Sequence, residues 1–191
     1  YFGVDGKSKV QEDGFVTIEL EYDSRGNILC ATFFGEDGKP TVTKDGFAEV
    51  TSEYDAQGNR IHAAFFGVDG KPITIRYGFA AATMEYDVRG NMTRTVFLGP
   101  DGKRTLTTDG LAGIERGYDD RGILTTEWFL GLDEKPIVTK NGFARCECEH
   151  DERGIATSVS FLGLDEKPAV TKNGFAKVEW KHDERGNVTH E

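Results

Sequence analysis

The sequence predicts an all-β protein, built as a tandem array of antiparallel β-hairpins. A Phe-Gly or Leu-Gly pair recurs every 32 residues, which is the first reason for this prediction. An Asp-Gly or Asn-Gly pair, a strong signal for a tight hairpin turn, recurs with the same period. The segments between turns alternate apolar and polar residues, and no segment shows sustained helical periodicity. Two or three strands in each repeat give about 12 to 18 strands, arranged as a twisted open sheet, a spiral or a solenoid.

Six periods of 32 residues account for almost all of the 191 positions. The repeats are 1–32, 33–64, 65–96, 97–128, 129–160 and 161–191. Apolar residues are spread evenly over them, which favours a single repeat array over one compact globule. Both termini fall at the same phase of the repeat, and neither resembles the polar cap of a solenoid. We therefore expect this array to be part of a longer one, or its ends to be covered by a neighbouring copy.

The first two repeats show the elements in order. Residues 16–22 alternate between apolar side chains and Thr or Glu, as a strand with one buried and one solvated face does. Residues 23–27 then form a turn in which glycine supplies a positive φ, and a second strand runs to about residue 34. A Gly-x-Asp-Gly-Lys-Pro turn follows. The short segment 41–44 forms either a third strand or an extended arm, and the Asp45-Gly46 turn leads into the next hairpin.

Phenylalanine marks fixed positions of the repeat. It occurs at residues 15, 47, 79, 143 and 175, and as pairs at 33–34 and 65–66. A single hairpin is marginally stable in water, so we expect these rings to form apolar ladders that join neighbouring repeats. A sugar-binding track is the alternative. We favour packing because these residues lie within the strand pattern and lack the polar group of Trp or Tyr.

The composition argues against several classes of protein. The net charge is −10, which disfavours binding to nucleic acid or to anionic membrane surfaces. No apolar run approaches the length of a membrane span. Motifs for nucleotide binding and for a serine nucleophile are absent, and no repeat carries a unique polar cluster, so we expect neither an enzyme nor a bound cofactor.

Three cysteines are too few for a disulfide framework. Cys146 and Cys148 are two residues apart and therefore share a strand face. We interpret them as small buried residues, and half of a metal site is the alternative. Unpaired cysteines indicate a reducing compartment.

Two further columns, each a set of residues at the same position of successive repeats, could hold a metal ion. Asp23 and its five counterparts at 32-residue intervals are predicted to cap their own turns, with calcium binding as the alternative. His150 and His182 are predicted to stack one repeat apart, with a metal site as the alternative.

The segments 22–27, 54–59 and 86–91, each Tyr-Asp-x-x-Gly-Asn, resemble the YD repeats of bacterial Rhs-type proteins. This resemblance implies a bacterial β-hairpin array, and some members of those families enclose toxins while others are cell-surface proteins. A secreted or cell-surface location follows from the same resemblance. The chain departs from the motif at His150 and His182, which replace Tyr, and at Ile123 and Ile155, which replace Asn. Its repeat is also longer.

We expect a structural or adhesive scaffold that associates with itself, end to end, into filaments. The first alternative is a binding module for a protein partner or a cell-wall glycan, and the second is part of a toxin-enclosing shell. The most variable column is the predicted partner-facing surface. It consists of Cys30, His62, Arg94, Thr126 and Ser158.

Overall fold

The structure, a computed structural model, describes residues 13–190, and this part of the chain contains thirteen β-strands and no helix. The strands are β1 (Thr17–Tyr22), β2 (Ile28–Phe34), β3 (Glu49–Tyr54), β4 (Arg60–Phe66), β5 (Ala81–Tyr86), β6 (Met92–Leu98), β7 (Gly113–Tyr118), β8 (Leu124–Leu130), β9 (Arg145–His150), β10 (Ala156–Leu162), β11 (Lys177–Glu179), β12 (Lys181–His182) and β13 (Val188–His190). β1 to β11 form one sheet in sequence order, and β12 and β13 form a separate hairpin. The predicted all-β array of antiparallel hairpins is confirmed. No membrane-spanning helix is found in residues 13–190.

The contacts within the chain divide it into two compact units. Among the described residues, unit 1 contains 13–85 together with Val96–Thr108. Unit 2 contains Tyr86–Thr95 together with 109–190.

Each hairpin closes with the same turn, shown here for β1 and β2. The Asp23 N–H donates to the Asn27 carbonyl at 2.9 Å, and the Gly26 N–H donates to the Asp23 carbonyl at 3.1 Å. Gly26 has a φ of 87°, a conformation that strains any residue with a Cβ. The turn adds one residue to the register, since Glu21 faces Cys30 whereas Tyr22 faces Ile28. This bulge sets which side chains meet across every hairpin.

The segment 41–44 is an extended arm and not a third strand. Before it, Phe34 and Pro40 form an isolated bridge, and proline has no N–H with which to continue a ladder. The Thr41 N–H donates to the Phe33 carbonyl at 2.8 Å, and the Thr43 N–H donates to the Phe47 carbonyl at 2.8 Å. The arm therefore leads the chain from one hairpin to the Asp-Gly turn of the next.

A phenylalanine ladder is present in each unit. In unit 1, neighbouring ring centroids from Phe15 to Phe97 are 4.8 to 5.9 Å apart, edge to face or tilted. In unit 2, the centroids from Phe129 to Phe175 are 4.7 to 6.0 Å apart. Such pairs are favourable beyond their buried area, so within each unit the ladder joins one hairpin to the next. Phe34 and Phe66 were also predicted to take part, but they make no ring contact within residues 13–190, because strand alternation places them on the other face.

The two faces of the sheet differ in polarity. We call the side that carries Leu20 and Ala31 the apolar face, and the side that carries Glu21 and Cys30 the polar face. Both pairs lie directly opposite each other across β1 and β2. On the apolar face, Ala31, Ala63 and Met84 are buried. The polar face carries several glutamates, among them Glu19, Glu21, Glu49, Glu53, Glu147 and Glu149.

Candidate interaction surface

In unit 1, two residues of the predicted partner-facing column lie half-buried on the polar face. Cys30 lies opposite Glu21 on β1 and opposite Thr51 on β3, and burial raises the pKa of its thiol. His62 lies opposite Glu53, with its Nδ1 atom 3.8 Å from Glu53 Oε1. Both side chains thus adjoin glutamates of neighbouring strands.

In unit 2, the column continues on the polar face with three residues. Arg94 Nη2 lies 2.5 Å from Glu134 Oε2, and Arg94 Nε lies 3.6 Å from Glu115 Oε1. Thr126 lies opposite Glu147 on β9. Ser158 is only 2% exposed, and its hydroxyl lies 2.6 Å from Glu149 Oε2, to which it donates. Together with Lys177, this hydrogen bond lowers the pKa of Glu149. The Ser158 hydroxyl therefore has a partner inside the protein.

A second cluster on the polar face of unit 2 was not anticipated from the sequence. The Arg145 guanidinium lies 4.8 Å above the ring of Trp128, directly across the strand pair, and it also contacts the carboxylate of Glu147. Arg145 Nη1 lies 3.8 Å from Glu166 Oε1. One signal for this cluster is visible in the sequence, because Trp128 stands where the other repeats carry Thr, Ala, Val or Ser.

Two glutamates of unit 2 adopt backbone conformations that favour glycine. Glu134 has a φ of 67° and Glu166 a φ of 59°, at the turn position where earlier repeats have Gly38, Gly70 and Gly102. Each of these glutamates forms one of the ion pairs described above. The two turns therefore combine backbone strain with a contact to an arginine of the sheet.

One charged pair lies on the apolar face. Arg116 donates from Nε to Glu127 Oε1 at 2.8 Å and from Nη1 to the Thr95 hydroxyl at 3.3 Å. The Arg116 side chain is 20% exposed and the Glu127 side chain is 26% exposed, so both charged groups are largely buried. At the position of Arg116 the other repeats carry Leu20, Ser52, Met84, Cys148 or Trp180. The expectation that no repeat carries a unique polar cluster was therefore wrong.

The two neighbouring cysteines lie beside this pair. Cys146 faces Glu127 across the strands and is 8% exposed. Burial, followed by the Glu127 carboxylate, raises the pKa of the Cys146 thiol to about 12. Cys148 is half-buried. The interpretation as small buried residues is confirmed for Cys146, and no cluster of three metal-ligating side chains is found in residues 13–190.

The aspartate column caps its own turns, as predicted. Asp23 Oδ1 accepts the N–H groups of Arg25 at 2.8 Å and Asn27 at 2.9 Å, and Oδ2 accepts the Asn27 amide at 2.8 Å. These hydrogen bonds, that of the Asn27 side chain first, lower the pKa of Asp23 to about 2. The Asn side chain is again the largest cause of the lowered pKa at Asp55, Asp87 and Asp183. At Asp119 and Asp151 the pKa is lowered mainly by the backbone N–H of the isoleucine that replaces this Asn. The predicted stacking of His150 and His182 stays a prediction.

Successive turns are joined by arginine. Arg25 Nη1 donates to the carbonyls of Asp55 and Ala56 in the following turn, both at 2.9 Å. Arg121 makes the same two contacts with Asp151 and Glu152, at 3.1 and 3.2 Å. Arg153 repeats both contacts in unit 2, and Arg89 makes one of them, to the Asp120 carbonyl. The guanidinium is suited to this role because one group can serve two acceptors.

The tyrosine of the turn motif joins a hairpin to the one before it. The Tyr54 hydroxyl donates to the Ile28 carbonyl at 2.9 Å in unit 1, and the Tyr118 hydroxyl donates to the Met92 carbonyl at 2.7 Å in unit 2. Burial raises the pKa of Tyr118. The tyrosine and arginine of one motif therefore contact the hairpins on opposite sides of it.

Comparison with solved structures finds a likeness of fold. No family model matches the chain, and no curated protein matches it. Among solved structures, a chain in the Photorhabdus luminescens Tc holotoxin pore is similar, with a TM-score of 0.50 and 13% sequence identity. The match covers 91% of this chain and 10% of that one. At this identity, the likeness shows that the hairpin fold is shared.

Proposed function

We propose that this chain is a structural repeat scaffold without catalytic activity. The observation that carries the proposal is the recurring set of contacts between successive hairpins. Arginine side chains reach the turn 30 and 31 residues ahead, and tyrosine hydroxyls reach the strand 26 residues behind. Contacts of this kind link neighbouring repeats, since each repeat gains burial and hydrogen bonds from the next.

Self-association is the partner interaction that we propose first. A surface that repeats every 32 residues offers a second copy the same contacts at each step, which favours regular assembly over a single docked pair. The test is analytical ultracentrifugation with negative-stain electron microscopy of the whole chain over a concentration series. We expect regular assemblies that grow with concentration. A monodisperse monomer at the highest concentration would instead favour a scaffold that binds other molecules.

A second candidate is a segment of a toxin-enclosing shell. The likeness to a chain of the Tc holotoxin favours it, together with the Tyr-Asp turns that resemble Rhs-type repeats. The matched region is a tenth of that chain, so such a shell would need many more repeats. Protease digestion of the complete gene product would test it. Protection of a co-encoded domain by the repeats is the expected result, and its rapid digestion would contradict the shell.

A further inference from the structure

A cleft recurs beside the phenylalanine ladder, between one Asp-Gly or Asn-Gly turn and the next. In unit 2 it has a volume of about 250 Å³, and three rings line it, those of Phe143, Phe161 and Phe175. Asn141 and Asn173 form its rim. This is many times the roughly 10 to 15 Å³ that a single water molecule requires, so a small organic ligand can enter.

Unit 1 has the equivalent cleft at the same repeat positions. It is lined by Phe15, Phe33 and Phe47, has a volume of about 110 Å³, and carries Asp13 and Asp45 where unit 2 carries asparagine. The Asp45 carboxylate forms an ion pair there, because its Oδ1 atom lies 3.2 Å from Arg76 Nε. The two clefts therefore share an aromatic floor and differ in size and in the chemistry of the rim.

Two side-chain amides at the rim of the unit 2 cleft are available to bind a ligand. Asn141 and Asn173 are exposed, and neither side-chain amide has a hydrogen-bond partner within residues 13–190. The hydroxyl of Thr171 is engaged, since it donates to the Phe175 carbonyl at 2.9 Å. The free polar groups at the cleft are thus the two amides, each of which can both donate and accept, and the Lys172 ammonium, which can only donate.

We propose that the unit 2 cleft binds one pyranose residue of a neutral glycan. The C–H face of the sugar packs on the phenylalanine rings, and its hydroxyls pair with the Asn141 and Asn173 amides. An apolar floor with a few convergent polar groups is the usual composition of a small-ligand site. A neutral glycan can satisfy all of these groups, because its hydroxyls accept from the Lys172 ammonium as well as from the amides. The asparagines supply the polar groups that the phenylalanine ladder itself lacks.

The test uses the whole chain and NMR titration with three soluble trisaccharides: maltotriose, cellotriose and triacetylchitotriose. We expect at least one of them to shift resonances of residues 141–143 and 171–175 in a saturable way. The variant N141D/N173D removes both amide donors, and unit 1 shows that the same turn accepts aspartate at these positions. We expect it to weaken binding at least tenfold while the spectrum of the rest of the chain is unchanged.

The matched control is D13N/D45N, which gives the smaller unit 1 cleft the same rim. Binding to unit 2 should be unchanged in this variant. The proposal is overturned if none of the three sugars perturbs the cleft at millimolar concentration. It is equally overturned if binding survives intact in N141D/N173D, because the amides would then not be the recognising groups.

Discussion

Arg116 and Glu127 face each other across β7 and β8 on the apolar face, with Nε and Oε1 2.8 Å apart. In the first hairpin the equivalent cross-strand pair is Leu20 and Ala31. One repeat therefore carries an ion pair where another carries two apolar side chains. Each partner removes the cost that the other's burial would otherwise impose.

Removing one member of this pair should be worse than removing both. R116L leaves Glu127 largely buried without its cation, and we expect it to lower the free energy of unfolding by about 1 to 2 kcal/mol. The double variant R116L/E127A copies Leu20 and Ala31 and should stay close to the wild type. Urea unfolding at neutral pH measures all three proteins. A double variant less stable than R116L would show that the pair is a net source of stability.

Substitution of a turn arginine should loosen the turn that follows it. R121A removes two hydrogen bonds to the carbonyls of Asp151 and Glu152, and we expect a loss of about 1 kcal/mol. R121K should restore little, because an ammonium group lacks the planar fork of the guanidinium. Hydrogen exchange at residues 151–155 is the measurement.

The matched control for this arginine is Q57A. Gln57 holds the same turn position, and its side chain has no hydrogen-bond partner within residues 13–190. We therefore expect its exchange pattern to match that of the wild type. Equal effects of R121A and Q57A would contradict the role of Arg121 as a contact between turns.

Replacing Glu166 with glycine should stabilise the protein. A left-handed conformation costs a residue with a Cβ roughly 1 to 2 kcal/mol. The ion pair of the exposed Glu166 with Arg145, at 3.8 Å, stabilises the protein by less than that. The gain in unfolding free energy should be about 0.5 kcal/mol or more. E134G is the comparison, since it removes the same strain but also the closer contact with Arg94 at 2.5 Å. We expect E134G to gain less than E166G in thermal unfolding, and the reverse order would contradict this account.

Stability should fall as the turn aspartates become protonated. The pKa of Asp23 is lowered from 3.8 to about 2, and the other five are lowered in the same direction. Because the folded pKa lies below the unfolded one, the stabilisation is complete above about pH 4 and is lost as pH falls toward 2. The thermal midpoint measured from pH 7 to pH 2 should therefore be flat at first and then drop. The variant D23N should show a shallower drop, and an unchanged profile would contradict the role of this carboxylate.

The parts of the fold that could be predicted are those set locally. The identity of the turn residues and the period of two in the strands locate the hairpins, and the arm at residues 41–44 was one of two stated alternatives. The pairing of Arg116 with Glu127 needs the cross-strand register, which the bulge after Gly117 shifts by one residue. The contact from Arg25 to the next turn depends on how hairpins lie side by side. Those features are properties of neighbouring repeats and are not visible in one repeat alone.

The side-chain contacts from Arg25 and Tyr54 reach 30 or 31 residues forward and 26 residues back. A newly made hairpin can therefore dock as soon as its immediate predecessor is in place, without waiting for distant parts of the chain. Loop closure over such short separations is fast, and sequential addition keeps little apolar surface exposed during synthesis. The chain is thus suited to fold in the order in which the ribosome delivers it.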